Sequence, residues 1–298
     1  MFDDFATGAE RVVAVPRSGY ELHARVTDGD GVPIVLMHGF PDSLRLYDEV
    51  TPLLRGRPVV RFDFLGWGRS DKPAGYPYTA DNQTGDLAAV VDQLGYDRVV
   101  LVAHDASGPP AIDWALEHPH RVAALVLLNT YYHPMAGLRR PPAIALYSTP
   151  GLRVLTRAAV RRWPELNRRL FQWQVGRFIR DSRRRGPVVA RLYEQFDAAR
   201  PAFERLNDDL LGTIVARRRR VADLRRFDRP VRVVFGARDR YLNPGVARRF
   251  AAAFPHADLH LLPDAGHYVQ VDAPERTAEL VLTAGRPQPA VARAGRPG

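Results

Sequence analysis

The chain has 298 residues, 46% of them hydrophobic, with a net charge of +10 and no cysteine. That length suits one α/β core with one inserted subdomain, and the apolar fraction excludes collagen-like, disordered and membrane-embedded classes. The missing cysteines exclude disulfides, thiolate nucleophiles and zinc–thiolate sites. Lys72 is the only lysine, so arginine carries almost all of the positive charge.

The opening segment, MFDDFATGAERVVAV, starts acidic and lacks the apolar stretch of a secretory signal. RVVAVP (11–16) and ELHARV (21–26) predict two short strands in a hairpin around Ser18-Gly19, and PIVLMH (33–38) predicts a buried strand. Leu46, Val50, Leu53 and Leu54 have helical spacing within 44–54. PVVRFDF (58–64) reads as the next strand, and Leu87, Val90, Val91 and Leu94 mark a helix over 81–94 stopped by Gly95. RVVLVAHD (98–105) predicts a strand, followed by a helix through His118 and a further strand, RVAALVLLN (121–129).

Strands apolar on both faces and separated by amphipathic helices predict a mostly parallel central sheet covered by helices. From Tyr131 to about Asp228 the pattern turns helical and Arg-rich, divided by Pro141-Pro142, Pro150, Pro164 and Pro187. The strand pattern resumes at PVRVVFG (230–236) and ADLHLL (257–262), and a last helix is expected over 274–283. The expected division is a core of residues 1–130 and 229–284, a helical cap over 131–228 inserted after the sixth strand, and a disordered Pro/Gly/Arg/Ala tail over 285–298.

The longest apolar runs, 99–103 and 122–128, are too short to span a bilayer, so a cytoplasmic protein with no membrane partner is expected. The densest basic run, Arg217–Arg220, interrupts an apolar pattern and has no interleaved aromatics, so no nucleic-acid partner is expected either. A small apolar organic substrate and water are the expected partners; assembly as a homodimer is left open.

The informative stretch is LVAHDASGPPA (101–111). A nucleophile on a tight strand-to-helix turn needs small residues two positions to either side, because bulk there would clash. Ala103 and Ser107 flank Asp105 in that way, whereas Ser107 would itself be flanked by Asp105 and Pro109. The helix N-terminus behind Asp105 keeps the carboxylate ionised, and an ionised carboxylate can attack carbon to give an ester. The competing reading is that Asp105 only caps the helix.

His267 in DAGHYVQVDAPE (264–275) follows a strand and a small-residue turn, as a general base can. Asp239 in FGARDRYLNP (235–244) directly follows the strand over 230–236, at the same end of the sheet, and can fix the His267 tautomer. In MHGFPDS (37–43), Gly39 lets the backbone turn so that the Phe40 N–H, with the Ala106 N–H, forms an oxyanion hole. Arg69, Ser70 and Asp71 in DFLGWGRSDKP (63–73) are expected to be structural.

Together HGFPDS, DFLGWGRSDKP, AHDASG, GARD and AGHY resemble the α/β-hydrolase superfamily, from about residue 10 to 284. The His-Asp pair at the turn resembles its aspartate-nucleophile branch of epoxide hydrolases and haloalkane and fluoroacetate dehalogenases. The resemblance implies attack by Asp105, hydrolysis of the ester by water that His267 activates, and no cofactor. HGFP resembles epoxide hydrolases and fluoroacetate dehalogenases. Ala106 departs from the pattern, since many branch members have Trp there and fluoroacetate dehalogenases have Arg. An epoxide needs a proton donor, and the family uses two cap tyrosines; the candidates are Tyr147 and Tyr193, with Tyr131 and Tyr132 behind them. Trp163 or Trp173 could instead supply an indole N–H to a halide, or simply pack the cap. The leading expectation is an epoxide hydrolase. The alternatives are a dehalogenase, an ester or lactone hydrolase, and a non-catalytic ligand-binding member of the fold.

Overall fold

Runs of β-branched and aliphatic residues build the sheet in the computed structural model, which describes residues 10–285. The strands are β1 (Arg11–Arg17), β2 (Tyr20–Thr27), β3 (Ile34–Met37), β4 (Val59–Phe62), β5 (Val99–Asp105), β6 (Val122–Thr130), β7 (Val231–Gly236) and β8 (Ala257–Leu262). They form one sheet in the order β1-β2-β4-β3-β5-β6-β7-β8. β2 pairs antiparallel with β1 and β4, and every other pairing is parallel. All residues of β3, β4 and β7 are buried, as strands covered on both faces require. In the β1–β2 hairpin Arg17 pairs with Tyr20, and Ser18 and Gly19 both take positive φ, as a tight two-residue turn demands. The tail expected to be disordered lies, beyond Gly285, outside the described residues.

The helices are α1 (Ala80–Gln93), α2 (Gly108–Glu117), α3 (Pro142–Ser148), α4 (Leu152–Arg162), α5 (Pro164–Gly176), α6 (Ser182–Ala216), α7 (Val221–Leu224), α8 (Pro244–Ala251), α9 (Val269–Asp272) and α10 (Pro274–Leu282). Among the described residues, no helix is long and apolar enough to cross a membrane. The helix expected over 44–54 is instead two short 3-10 turns, Leu44–Tyr47 and Thr51–Leu53. Pro52 has no N–H to offer the Asp48 carbonyl, and the Tyr47 hydroxyl is held by the Met37 carbonyl at 2.8 Å. The apolar spacing still works, because Leu46, Val50 and Leu54 are all buried.

Between Thr130 and Val231 the chain forms α3 to α7. Pro187 does not divide this segment as expected, and both it and Pro201 lie inside the 35-residue α6. Each proline removes one intrahelical bond, at about 3 kcal/mol. Burial of Val188, Val189, Leu192, Phe196 and Phe203 along one face outweighs that, at roughly 1.5–3 kcal/mol per side chain. Asp181 starts the helix by accepting from the Arg183 and Arg184 N–H groups. The Arg217–Arg220 run is a 3-10 turn tied to the core. Arg217 Nε donates to Asp113 at 2.8 Å, and Arg220 reaches Asp113 at 3.0 Å and Glu117 at 3.1 Å.

Because β3, β5, β6, β7 and β8 are parallel, their C-terminal ends open on one edge, where the chemically distinctive segments emerge.

Candidate active site

β5 ends on Asp105, whose φ of +49° is a strained value for a residue other than glycine. Several contacts hold this bend. The Ser107 hydroxyl accepts from the His104 N–H at 2.9 Å and lies 2.8 and 3.0 Å from the carbonyls of His104 and Met37. The Thr130 hydroxyl donates to the Asp105 carbonyl. A Cβ on Gly39 would lie 2.8 Å from the Asp105 Cβ, and one on Gly108 would lie 1.8 Å from Thr130 Oγ1. Glycine at these two positions is what lets β3 and α2 close on the turn. Ser107 is therefore bound up in the turn.

The carboxylate faces two backbone donors. The Phe40 N–H lies 3.4 Å from Oδ2, and the Ala106 N–H also bonds the carboxylate. Burial pushes the Asp105 pKa above the usual carboxylate range, and the His267 charge and these two N–H groups oppose that rise. On its other side stands His267, with Nε2 3.7 Å from Oδ1. His267 Nδ1 donates to Asp239 Oδ2 at 2.8 Å. Burial disfavours the imidazolium, yet Asp239, that hydrogen bond and the Asp105 charge together lift the His267 pKa to about 9. Burial also works against charge on Asp239. His267, the Tyr241 N–H and the Asn129 amide nevertheless hold it below the usual carboxylate range.

Three groups here escaped sequence reasoning. Asn129 bridges the sheet edge, its amide donating to Asp239 at 2.8 Å and its carbonyl accepting from the Gly236 N–H at 2.9 Å. Its place at the end of a buried strand, beside the strand of Asp239, was the available signal. Asp272 accepts from the Gly266, Arg180 and Asp181 N–H groups at 2.7–2.9 Å, and the Phe178 carbonyl accepts from the His267 N–H at 3.0 Å. The linker between α5 and α6 thereby clamps the loop that carries His267.

The third is Asp42, in HGFPDS. It is buried, Tyr268 donates to its Oδ1 at 3.0 Å, and among the described residues its Oδ2 has no hydrogen-bond partner, 3.9 Å from the equally unpartnered His104 Nδ1. His104 Nε2 is bonded to the His267 carbonyl at 3.1 Å, which leaves Nδ1 as the acceptor. Burial and the Asp105 charge raise the Asp42 pKa to about 7. An unfolded carboxyl deprotonates near 3.9, so the native state holds the extra proton between about 4 and 7, and stability falls as pH rises through that window. At about 1.4 kcal/mol per pH unit the loss above pH 7 is at most about 4 kcal/mol. Asp42→Asn keeps the acceptor for Tyr268 and places an N–H toward His104. In urea unfolding it is expected to gain at least about 2 kcal/mol at pH 8 relative to its difference from wild type at pH 4. A difference that does not change with pH would contradict this.

Asp105, Phe40, Ala106 and His267 line an apolar chamber roofed by α3, α5 and α6. Its walls include Leu138, Ile144, Phe171, Val175 and Phe203. Asp239 stands behind His267 and does not line the chamber. Tyr147 and Trp173 do line it. The Tyr147 hydroxyl is buried without a partner among the described residues, and the charges that act on it are those of Arg200, Glu204 and Arg157 of the cap helices. Tyr193 is not in the lining, contrary to the sequence expectation, because its ring packs on Phe171 and Phe196 from outside. Tyr132 is also excluded, its hydroxyl donating to Asp113 at 2.6 Å. Tyr131 lines the chamber, and burial with the Asp105 charge raises its pKa, so the phenol stays protonated. Trp163 lies outside, 54% exposed. In the loop after β4, Ser70 accepts from the His23 N–H at 2.8 Å and Asp71 from the Glu21 N–H at 2.9 Å.

Residues 32–274 match the family described as alpha/beta hydrolase fold. The chain is 31% identical over 274 residues to haloalkane dehalogenase 2 of Mycobacterium tuberculosis, covering 86% of this chain and 89% of that one. It is 28% identical over 274 residues to the cis-3-alkyl-4-alkyloxetan-2-one decarboxylase of Shewanella oneidensis, covering 86% and 82%. A crystal structure of a mutant of the haloalkane dehalogenase DatA from Agrobacterium tumefaciens superposes with a TM-score of 0.78 at 24% identity, covering 94% of this chain and 98% of that one, a likeness of fold. The chain belongs to the α/β-hydrolase fold family, in its haloalkane dehalogenase-like branch.

Proposed function

We propose that the chain hydrolyses small apolar electrophiles through an ester on Asp105, and that epoxides are its substrate class. The observation that carries the reading is the Asp105 carboxylate at a strained turn, facing an apolar chamber, with His267 Nε2 at 3.7 Å. Asp105 Oδ attacks a ring carbon, the carbon–oxygen bond breaks, and the ring oxygen takes its proton from the Tyr131 phenol. A water then gives a proton to His267 Nε2 and attacks the Asp105 carboxyl carbon. The oxyanion formed lies against the Phe40 and Ala106 N–H groups. Collapse expels the alcohol oxygen, which recovers the proton from His267 to give the diol, and the proton left on the Asp105 carboxyl passes to His267, replacing the one that His267 gave to the Tyr131 phenolate after ring opening. Asp239 stabilises the transient imidazolium.

The side chains beside the oxyanion donors, Phe40 and the methyl of Ala106, offer no N–H or O–H to a departing halide, which favours the epoxide. A second reading, hydrolytic dehalogenation, is favoured by the relative named haloalkane dehalogenase 2 and by the Trp173 indole in the chamber. A panel of styrene-type epoxides and haloalkanes separates the two. Diol formation without halide release is expected. Tyr131→Phe is expected to lower kcat/KM for epoxides about 100-fold and to leave any haloalkane turnover within a few-fold. Halide release with no diol formation would replace the epoxide reading by the second one.

A further inference from the structure

A second, polar cavity adjoins the apolar chamber and shares His267 with it. Five arginines line it. Arg177 and Arg180 come from the linker between α5 and α6, Arg185 from the first turn of α6, and Arg238 and Arg240 from the loop between β7 and α8. Among the described residues none of the five pairs with a carboxylate. They are held by neutral groups where they are held at all. Arg185 Nε donates to the Ile179 carbonyl at 3.0 Å, Arg238 Nε donates to the Pro263 carbonyl at 3.1 Å, and the Arg177 guanidinium sits 4.9 Å from the centre of the Trp173 ring. The cap helices show the contrast, since Arg153, Arg157, Arg161 and Arg184 are all ion-paired there.

Among the described residues the one carboxylate in the cavity wall, Asp239, is already engaged. Its Oδ2 takes His267 Nδ1 and the Asn129 amide, and its Oδ1 takes the Tyr241 and Leu242 N–H groups. Five arginines from two separate segments thus line one concavity, and among the described residues none of them has a carboxylate partner. Like charges arranged in a concave site focus a positive potential, and guanidinium forks match the geometry of oxyanions. Trp173, Phe178, Tyr241 and His267 line both this cavity and the apolar chamber, the Phe178 ring standing 5.1 Å from His267 and 5.7 Å from Tyr241.

We infer that this arginine-lined cavity is a binding site for a small oxyanion, a carboxylate or a phosphate. The site is independent of which leaving group Asp105 displaces. Calorimetric titration with sodium phosphate and with sodium butanoate, at constant ionic strength, tests it. Saturable one-to-one binding of at least one of them is expected. It is expected to weaken at least tenfold in two double variants drawn from different segments, Arg238→Gln with Arg240→Gln and Arg177→Gln with Arg180→Gln. The control pair Arg218→Gln with Arg219→Gln, exposed and outside the cavity, is expected to bind as wild type. If butanoate competes with an apolar substrate while phosphate does not, the anion is the head group of an acid whose tail enters the chamber. If neither competes, the anion is a separate effector. A response that does not saturate, or that both double variants retain in full, would overturn the assignment.

Discussion

Asp105→Asn is expected to lower turnover by at least about 10⁴-fold, or about 5.5 kcal/mol of transition-state stabilisation, while the protein stays folded and becomes no less stable. An amide oxygen can still accept from the Phe40 and Ala106 N–H groups, but the amide is a poor nucleophile at carbon. The backbone argues for a surviving fold, because asparagine tolerates the positive φ of +49° at this position better than most residues. The electrostatics argue for a gain. Burial raises the Asp105 pKa, so the native state is penalised for the ionised form at neutral pH, and a neutral amide removes that penalty. A site that costs stability in order to hold a reactive group is a common trade. Steady-state assays beside thermal melts check both halves. Loss of activity with loss of the fold would leave the role of the carboxylate unsupported.

His267→Gln is expected to separate the two halves of the reaction. Attack by Asp105 needs no base, so a first turnover should proceed within about tenfold of the wild-type rate. Hydrolysis of the ester should slow by about 10³-fold or more, since glutamine cannot take a proton from water. The charge balance of the site sharpens this. In the free enzyme His267, with a pKa of about 9, is cationic at neutral pH and paired with the Asp105 anion. Esterification neutralises Asp105 and removes one of the charges that sustain the imidazolium. The His267 pKa then falls, the imidazolium gives its proton to the Tyr131 phenolate left by ring opening, and the neutral base is available when water must be activated. A rapid burst followed by near-zero steady turnover would be the kinetic signature. Slowing of both phases together would mean that His267 acts in the attack as well.

The parts of this site that were legible in the sequence are those fixed by backbone geometry. Ala103, Asp105 and Ser107 had to be small, reactive and small because the strand meets its helix on a strained turn, and Gly39 had to lack a Cβ because one there would lie 2.8 Å from the Asp105 Cβ at the end of β5. Asp239 and His267 follow strands directly, so parallel topology alone brings them to one edge. What was not legible depends on which way a cap helix faces. Tyr147 lies on α3 and Tyr193 on α6, both with aromatics around them, and nothing in their spacing tells the chamber side of either helix from its outer side. Tyr131 was ranked behind them, although it sits one residue beyond β6 and needed only the strand register to place it near Asp105. The helix expected over 44–54 failed for a local reason, a proline at 52, whereas the prolines inside α6 were overridden by burial. Asp42 was visible as a motif residue, but its meaning lies in the contacts that surround it.

Everything rests on a covalent bond forming to one side-chain oxygen. Peptide mass mapping of the His267→Gln protein, quenched in acid after incubation with a turned-over epoxide, tests that bond directly. The account predicts one adduct of the full mass of the epoxide per chain, on the peptide that contains Asp105, and none when Asp105→Asn is added. An unmodified Asp105 peptide, recovered from protein shown to have consumed substrate, would contradict it.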